Sequence, residues 1–178
     1  MLRCVITGHQ DDKSAFMIDG SAPEVVTFSK TPGMEVSKIW GTSRAARIGE
    51  NAIASGGVGA SFIPGAGETR FYLLKIPPDS VTRQPGFDIA AAAQEFAERL
   101  PEMAAVREAQ DPAMHRTDTV DYLIVLDGEI WLELDDREEV RLRQHDVIVQ
   151  NGTRHAWRNK SDQTATIAVV MVGGDRRA

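Results

Sequence analysis

Residues His115-Arg116-Thr117-Asp118-Thr119-Val120-Asp121 open a run that continues as Tyr122-Leu123-Ile124-Val125-Leu126-Asp127 and stops at Gly128. A second segment, Gly152-Thr153-Arg154-His155-Ala156-Trp157-Arg158-Asn159, answers it further along the chain. In an extended chain successive side chains point to opposite faces, so residues 115, 117, 119 and 121 share one face. His155 opens another short strand behind a glycine turn. If the two strands face each other in a barrel, His115, Asp121 and His155 converge on one point. Two imidazoles and a carboxylate are a competent donor set for Zn²⁺, Fe²⁺, Mn²⁺ or Ni²⁺.

Around these segments the chain divides into short elements. Strand-like stretches at 2–7, 14–18, 24–29 and 34–40 are separated by a turn-rich cluster at 8–12, a hairpin signal at Asp19-Gly20 and a turn at Thr31-Pro32-Gly33. Glycines then crowd residues 49–67, too densely for a regular element; the segment reads as a connector or as a flap at a pocket mouth. A strand over 68–76 precedes the one clear helical period, in which Ile89, Ala92, Ala93, Phe96 and Leu100 form an apolar stripe. Asp88 is placed to cap that helix, and Pro101 to break it or to open a second one over 102–110. Strands follow at 120–126, 130–134, 140–142, 147–150, 155–158 and 165–172, with hairpin-length gaps. The expected organisation is an arm and connector over 1–67 and an antiparallel barrel over 68–178, with a helical insertion at about 88–110.

The 178 residues are enough for one domain with an elaborated arm, and 42% hydrophobic residues suffice for a real core. A net charge of −6 lacks the basic face that nucleic-acid binding needs. No stretch approaches the roughly 20 apolar residues of a membrane helix. The single cysteine, Cys4, leaves no internal disulfide and favours a reducing compartment, so a soluble cytoplasmic protein is expected. Cys4 and the absence of a Gly-x-Ser-x-Gly elbow give no support to thiol or serine-triad chemistry.

From about Phe71 to Val172 the chain resembles the cupin superfamily, small β-barrels (double-stranded β-helices, or jelly rolls) with a metal site in the mouth. His115 fits the first histidine of the first cupin motif, Asp121 stands for its Glu and Gly128 for its closing glycine. Thr117 occupies the place of the second histidine. Gly152, His155 and Asn159 match the second motif, and Asp146 its turn acid, with His145 in place of the turn glycine.

The resemblance implies a divalent metal ion (Zn, Fe, Mn or Ni) held by His115, Asp121 and His155, with Thr117 beside it and Trp157 and Tyr122 at the pocket. It also implies a small-molecule substrate: a dioxygenase, decarboxylase or isomerase acting on a carboxylate or oxygenated compound, aromatic ones included. A non-catalytic ligand-binding or sensor protein is the rival reading. Asp118, Tyr122 and Asp127 are candidates for a catalytic base. Trp131 and Phe71 either wall the pocket or fill the core, and His9 and His145 read as exposed turn residues. A homodimer is expected, the strands of residues 2–40 being edges that a second copy would cover.

Overall fold

The computed structural model describes residues 2–22, 24–46, 48 and 61–176. It begins with a two-stranded ribbon, β1 (Arg3–Gln10) and β2 (Lys13–Ser21). The ribbon turns at Asp11-Asp12, both left-handed with φ of 50° and 58°. Aspartate tolerates that region because its short side chain bonds to the local backbone. The hairpin expected at Asp19-Gly20 is therefore absent. Those two residues lie within β2, opposite Val5 and Cys4, and Asp19 pairs with Arg3 at 2.7 Å.

The other strands are β3 (Glu24–Thr27), β4 (Glu35–Thr42), β5 (Thr69–Ile76), β6 (Thr119–Asp127), β7 (Glu129–Glu133), β8 (Glu139–Arg143), β9 (Val147–Asn151), β10 (Ala156–Arg158) and β11 (Ala165–Gly173). Six form one antiparallel sheet in the order β3-β4-β5-β11-β6-β9, and three form a second in the order β10-β7-β8. β4 pairs with β5 along its length, so the main sheet runs across the division expected at residue 67.

Alternation builds the core. Ala165, Ile167, Val169 and Met171 of β11 point inward in turn, as do Leu123 and Val125 of β6. They meet Ile130 and Leu142 of the smaller sheet in one hydrophobic cluster. Two antiparallel sheets enclosing one core, with sequence neighbours in different sheets, are the double-stranded β-helix that the motifs imply.

The helical segment joins the same cluster. In α1 (Ile89–Arg99) the Asp88 carboxylate accepts from the Ala91 amide at 2.9 Å, the expected N-cap. Pro101 opens α2 (Pro101–Ala105), which stops at Ala105 rather than running to 110. Phe96 and Leu100 are buried, whereas Ile89 at the start of the stripe is exposed. Glu95 accepts from the backbone amides of Ser29 and Lys30 at 2.9 and 2.7 Å, tying α1 to the end of β3. Among the described residues no helix is long and apolar enough to cross a membrane.

Two of the motif residues are explained by packing. Gly128 has φ +71°, and a Cβ there would sit 3.0 Å from the Thr164 carbonyl oxygen and 3.1 Å from Ala165 Cα. Asn159 is fully buried. Its Nδ2 donates to the carbonyls of Ile76 (2.8 Å) and Gln163 (2.7 Å), and its Oδ1 accepts from the Ser161 hydroxyl (2.7 Å). Its backbone exchanges bonds with Asp79, at 3.1 and 2.8 Å. Asn159→Ala should strand two buried carbonyls and cost about 3 kcal/mol, read as a lower urea midpoint at unchanged slope.

Candidate functional site

The strand order brings the two motifs side by side rather than face to face. His115 and His155 exchange both backbone hydrogen bonds, each 3.0 Å long, as an antiparallel bridge just before β6 and β10. Directly opposed residues of this kind carry their side chains on the same face. The two imidazoles accordingly meet, with ring centroids 4.3 Å apart. Two positions of the period-two face beyond His115 are Thr119, whose hydroxyl is 2.7 Å from that of Thr117, and Asp121, both buried.

The cluster borders a cavity of about 170 Å³. His115, Thr117, Asp121, His155 and Trp157 all reach it. The remaining wall is largely apolar: Val36, Tyr72, Leu123 and Val169 from the main sheet, Phe96 and Leu100 from the helices, and Phe62. Three methionines, Met34, Met103 and Met171, belong to it, and Arg107 and the paired Glu35 and Lys75 bring charge to the lining. Trp157 stands edge-on to His155 with centroids 5.8 Å apart, so it both walls the cavity and packs in the core. A cavity of this size accepts a molecule on the scale of a single substituted ring.

Several expected residues lie elsewhere. Tyr122 is 54% exposed, because it alternates with Asp121 and points to the outer face. Asp127 is exposed at the end of β6, and Asp118 is exposed and pairs with Arg176 at 2.5 Å. None of the three candidate bases is on the cavity wall. Arg176 also donates to the carbonyls of Thr117 and Gly152 (2.9 and 3.1 Å), so it clasps the two motif segments together. Trp131 and Phe71 are absent from the cavity wall, and an arginine, Arg141, lies 5.3 Å from the Trp131 ring. His9 and His145 are exposed.

Residues 49–60 of the glycine-rich stretch lie outside the described residues. Of its remainder, Phe62 stands in the cavity wall: it stacks on Tyr72 at 4.3 Å, and the Tyr72 hydroxyl donates to the Phe62 carbonyl at 2.6 Å.

Burial sets the charge state of the cluster. It pushes Asp121 up to about 6, with the Thr119 hydroxyl acting the other way. Burial, then the neighbouring His115, pushes His155 down to about 4, and burial lowers His115 as well. At neutral pH both imidazoles are neutral. The Asp121 Oδ1 is buried without a hydrogen-bond partner. Nδ1 of His115 lies 2.9 Å from the Ala113 carbonyl, and Nδ1 of His155 lies 2.7 Å from the Gln150 amide nitrogen. Nδ1 of His155 also lies 3.0 Å from the Thr153 carbonyl, so each ring has a backbone carbonyl to which Nδ1 can donate, as metal-bound and catalytic histidines commonly do.

The donor chemistry thus suits a divalent ion, but the spacing does not. Among the described residues no three His, Cys, Asp or Glu side chains lie close enough together to share one. Thr117 supplies a hydroxyl already tied to Thr119 where the motif has an imidazole.

Sequence reasoning missed three contributors. Gln150 opposes Asp121 across the β6–β9 ladder, and its inward position in a strand ahead of Gly152 was a usable signal. The helical segment forms cavity wall, which the stripe alone does not reveal. Arg107, just beyond α2, reaches the cavity, and nothing in its local sequence announces that.

An aspartate whose folded pKa is raised from 3.8 to about 6 lowers stability as pH rises through that window, and fully so above it. His155, depressed from 6.5 to about 4, lowers stability as pH falls through that window. In chelator-treated protein Asp121→Asn should therefore stabilise the fold at pH 7.5 by up to about 3 kcal/mol and much less at pH 4. Thermal melts at the two pH values check this; a destabilised variant would show that the carboxylate has a favourable partner.

No family model matches the chain. It is 54% identical over 56 residues to "Phomopsin biosynthesis cluster protein C'" of Diaporthe leptostromiformis, a match spanning 32% of this chain and 30% of that protein. It is 48% identical over 46 residues to the "Cupin-domain-containing oxidoreductase virC" of Hypocrea virens, spanning 26% of this chain and 24% of that one. The matches thus span less than a third of these curated relatives' lengths. Among solved structures, an RmlC-like cupin with a double-stranded β-helix fold from Methanocaldococcus jannaschii is 13% identical, at TM-score 0.37 over 59% of this chain and 70% of that one. The chain is cupin-like in its motifs and in its two-sheet fold, and a curated relative carries the cupin name.

Proposed function

We propose that this cupin-like chain is an enzyme acting on an oxygenated small molecule whose apolar body fills the cavity. One observation carries the reading. An unpartnered carboxylate oxygen and two neutral imidazoles are gathered in a largely apolar cavity, whose other charged lining residues are Arg107 and the Glu35–Lys75 pair. Burying such groups is costly unless a ligand uses them, and perturbed groups of this kind mark sites of chemistry. Asp121, with its pKa raised to about 6, exchanges a proton readily near neutral pH. His115 and His155 offer neutral nitrogens to a substrate hydroxyl or carbonyl. The relatives' names, biosynthesis cluster protein and oxidoreductase, favour a biosynthetic intermediate as substrate and an oxidation as reaction.

A divalent ion belongs to the proposal as a separate element. His115, His155 and Asp121 are the residues that would have to draw together around it. The rival reading, a non-catalytic ligand-binding protein, is favoured by the Thr117–Thr119 hydroxyl pair standing where the motif has an imidazole.

Metal analysis of protein purified without added metal separates these elements. One ion per chain, lost in both His155→Ala and Asp121→Asn, supports the metal enzyme. Protein free of metal that turns over no oxygenated substrate under any metal supplementation sinks the enzyme reading and leaves the binding protein. The homodimer is proposed with it, and a monomeric mass by light scattering would count against that part.

A further inference from the structure

Arg107 stands out among the arginines of this chain. Arg154 is paired with Glu108 (2.5 Å) and Asp135 (2.9 Å), and Arg158 with Asp111 (2.5 Å) and Glu133 (2.6 Å). Arg107 has no such pair among the described residues, and its Nε is buried without a hydrogen-bond partner. Burial lowers its pKa to about 10. Yet the chain carries 26 acidic residues against 20 basic ones. A fixed cation without a counter-ion is destabilising in a largely apolar setting, and such groups are ordinarily paired.

The guanidinium is also held in one pose. Its Cζ lies 3.4 Å above the centre of the Phe96 ring, and the Arg107 backbone bridges to His115. Stacking on an aromatic face leaves the edge of the planar fork free, and that edge matches a carboxylate in two parallel hydrogen bonds. The side chain lines the same cavity as His115, Asp121 and His155.

We propose that Arg107 is the anchor for a carboxylate on the substrate. The apolar body of that substrate lies against the cavity wall, and the bonds next to the carboxylate face the two histidines and Asp121. The inference rests on the small-molecule reading above and narrows it to carboxylic acids with a compact apolar, ring-sized body.

Benzoate and its uncharged isostere benzamide serve as probes, titrated by calorimetry into the full chain. Benzoate should bind at least tenfold more tightly than benzamide, the range expected for a charge-assisted pair being on the order of ten- to a hundredfold. Arg107→Met should abolish that preference, benzoate binding no more tightly than benzamide. Its melting temperature, measured alongside, shows that the variant is folded when the preference is read. Arg107→Lys, which keeps the charge and loses the fork, should retain only part of the preference. Equal binding of the two probes, or a preference that survives Arg107→Met, would overturn the anchor while leaving the cavity as a binding site. If neither probe binds the parent protein at millimolar concentration, the small-molecule reading falls, and the anchor with it.

Discussion

The reciprocal pair of backbone hydrogen bonds between His115 and His155 fixes more of this molecule than any other contact. It joins the segment entering β6, in the larger sheet, to the segment entering β10, in the smaller one. Because directly opposed residues share a face, the same bonds that hold the sheets in register also set the two imidazoles side by side. Arg176 reinforces this junction from outside, through the carbonyls of Thr117 and Gly152. The geometry of the site is thus a by-product of how two segments are stitched by main chain, with the Arg176 and Gln150 side chains adding to it.

The cavity wall combines polar groups that a core ordinarily excludes. Asp121, His115, His155 and Arg107 are all pushed toward their neutral forms by burial, and one oxygen and one nitrogen among them lack partners. The surrounding fold offsets this with the opposite kind of arrangement. Asn159 satisfies every polar neighbour it meets, and Arg158 and Arg154 are each doubly paired. Unsatisfied groups concentrated in one place, in a fold that satisfies them elsewhere, are what distinguish the site from the rest of the interior.

The β architecture was legible because short strand-length runs are separated by turn residues at hairpin-length gaps, and because Gly128 and Asn159 punctuate it at fixed distances. Both punctuation residues turn out to serve the backbone: one for a close approach to Thr164, the other for two buried carbonyls. What alternation cannot convey is which strands become neighbours. That is why the histidines were expected opposite one another across a barrel; Tyr122 was grouped with the pocket against the alternation itself, since it directly follows the inward Asp121. The Asp19-Gly20 signal failed for a related reason: two consecutive aspartates entered left-handed conformations first and fixed the register of the ribbon. Arg107 lay beyond reach altogether, since its importance comes from the absence of a partner in space, which no local pattern encodes.

The methionines of the cavity wall give the lining two mechanical characters. Met34, Met103 and Met171 have unbranched, polarisable side chains that settle into irregular gaps at little cost. The polar groups are instead held by a backbone bridge, a stacked guanidinium and an amide that clamps His155. The apolar lining is compliant where it carries methionine, and the polar cluster beside it is stiff. Occupants that differ in girth can be seated by the same wall, while the placement of polar atoms stays within narrow tolerances. The compliant wall is also the one open to oxidative damage, because a thioether converted to its sulfoxide becomes polar and no longer fits an apolar lining.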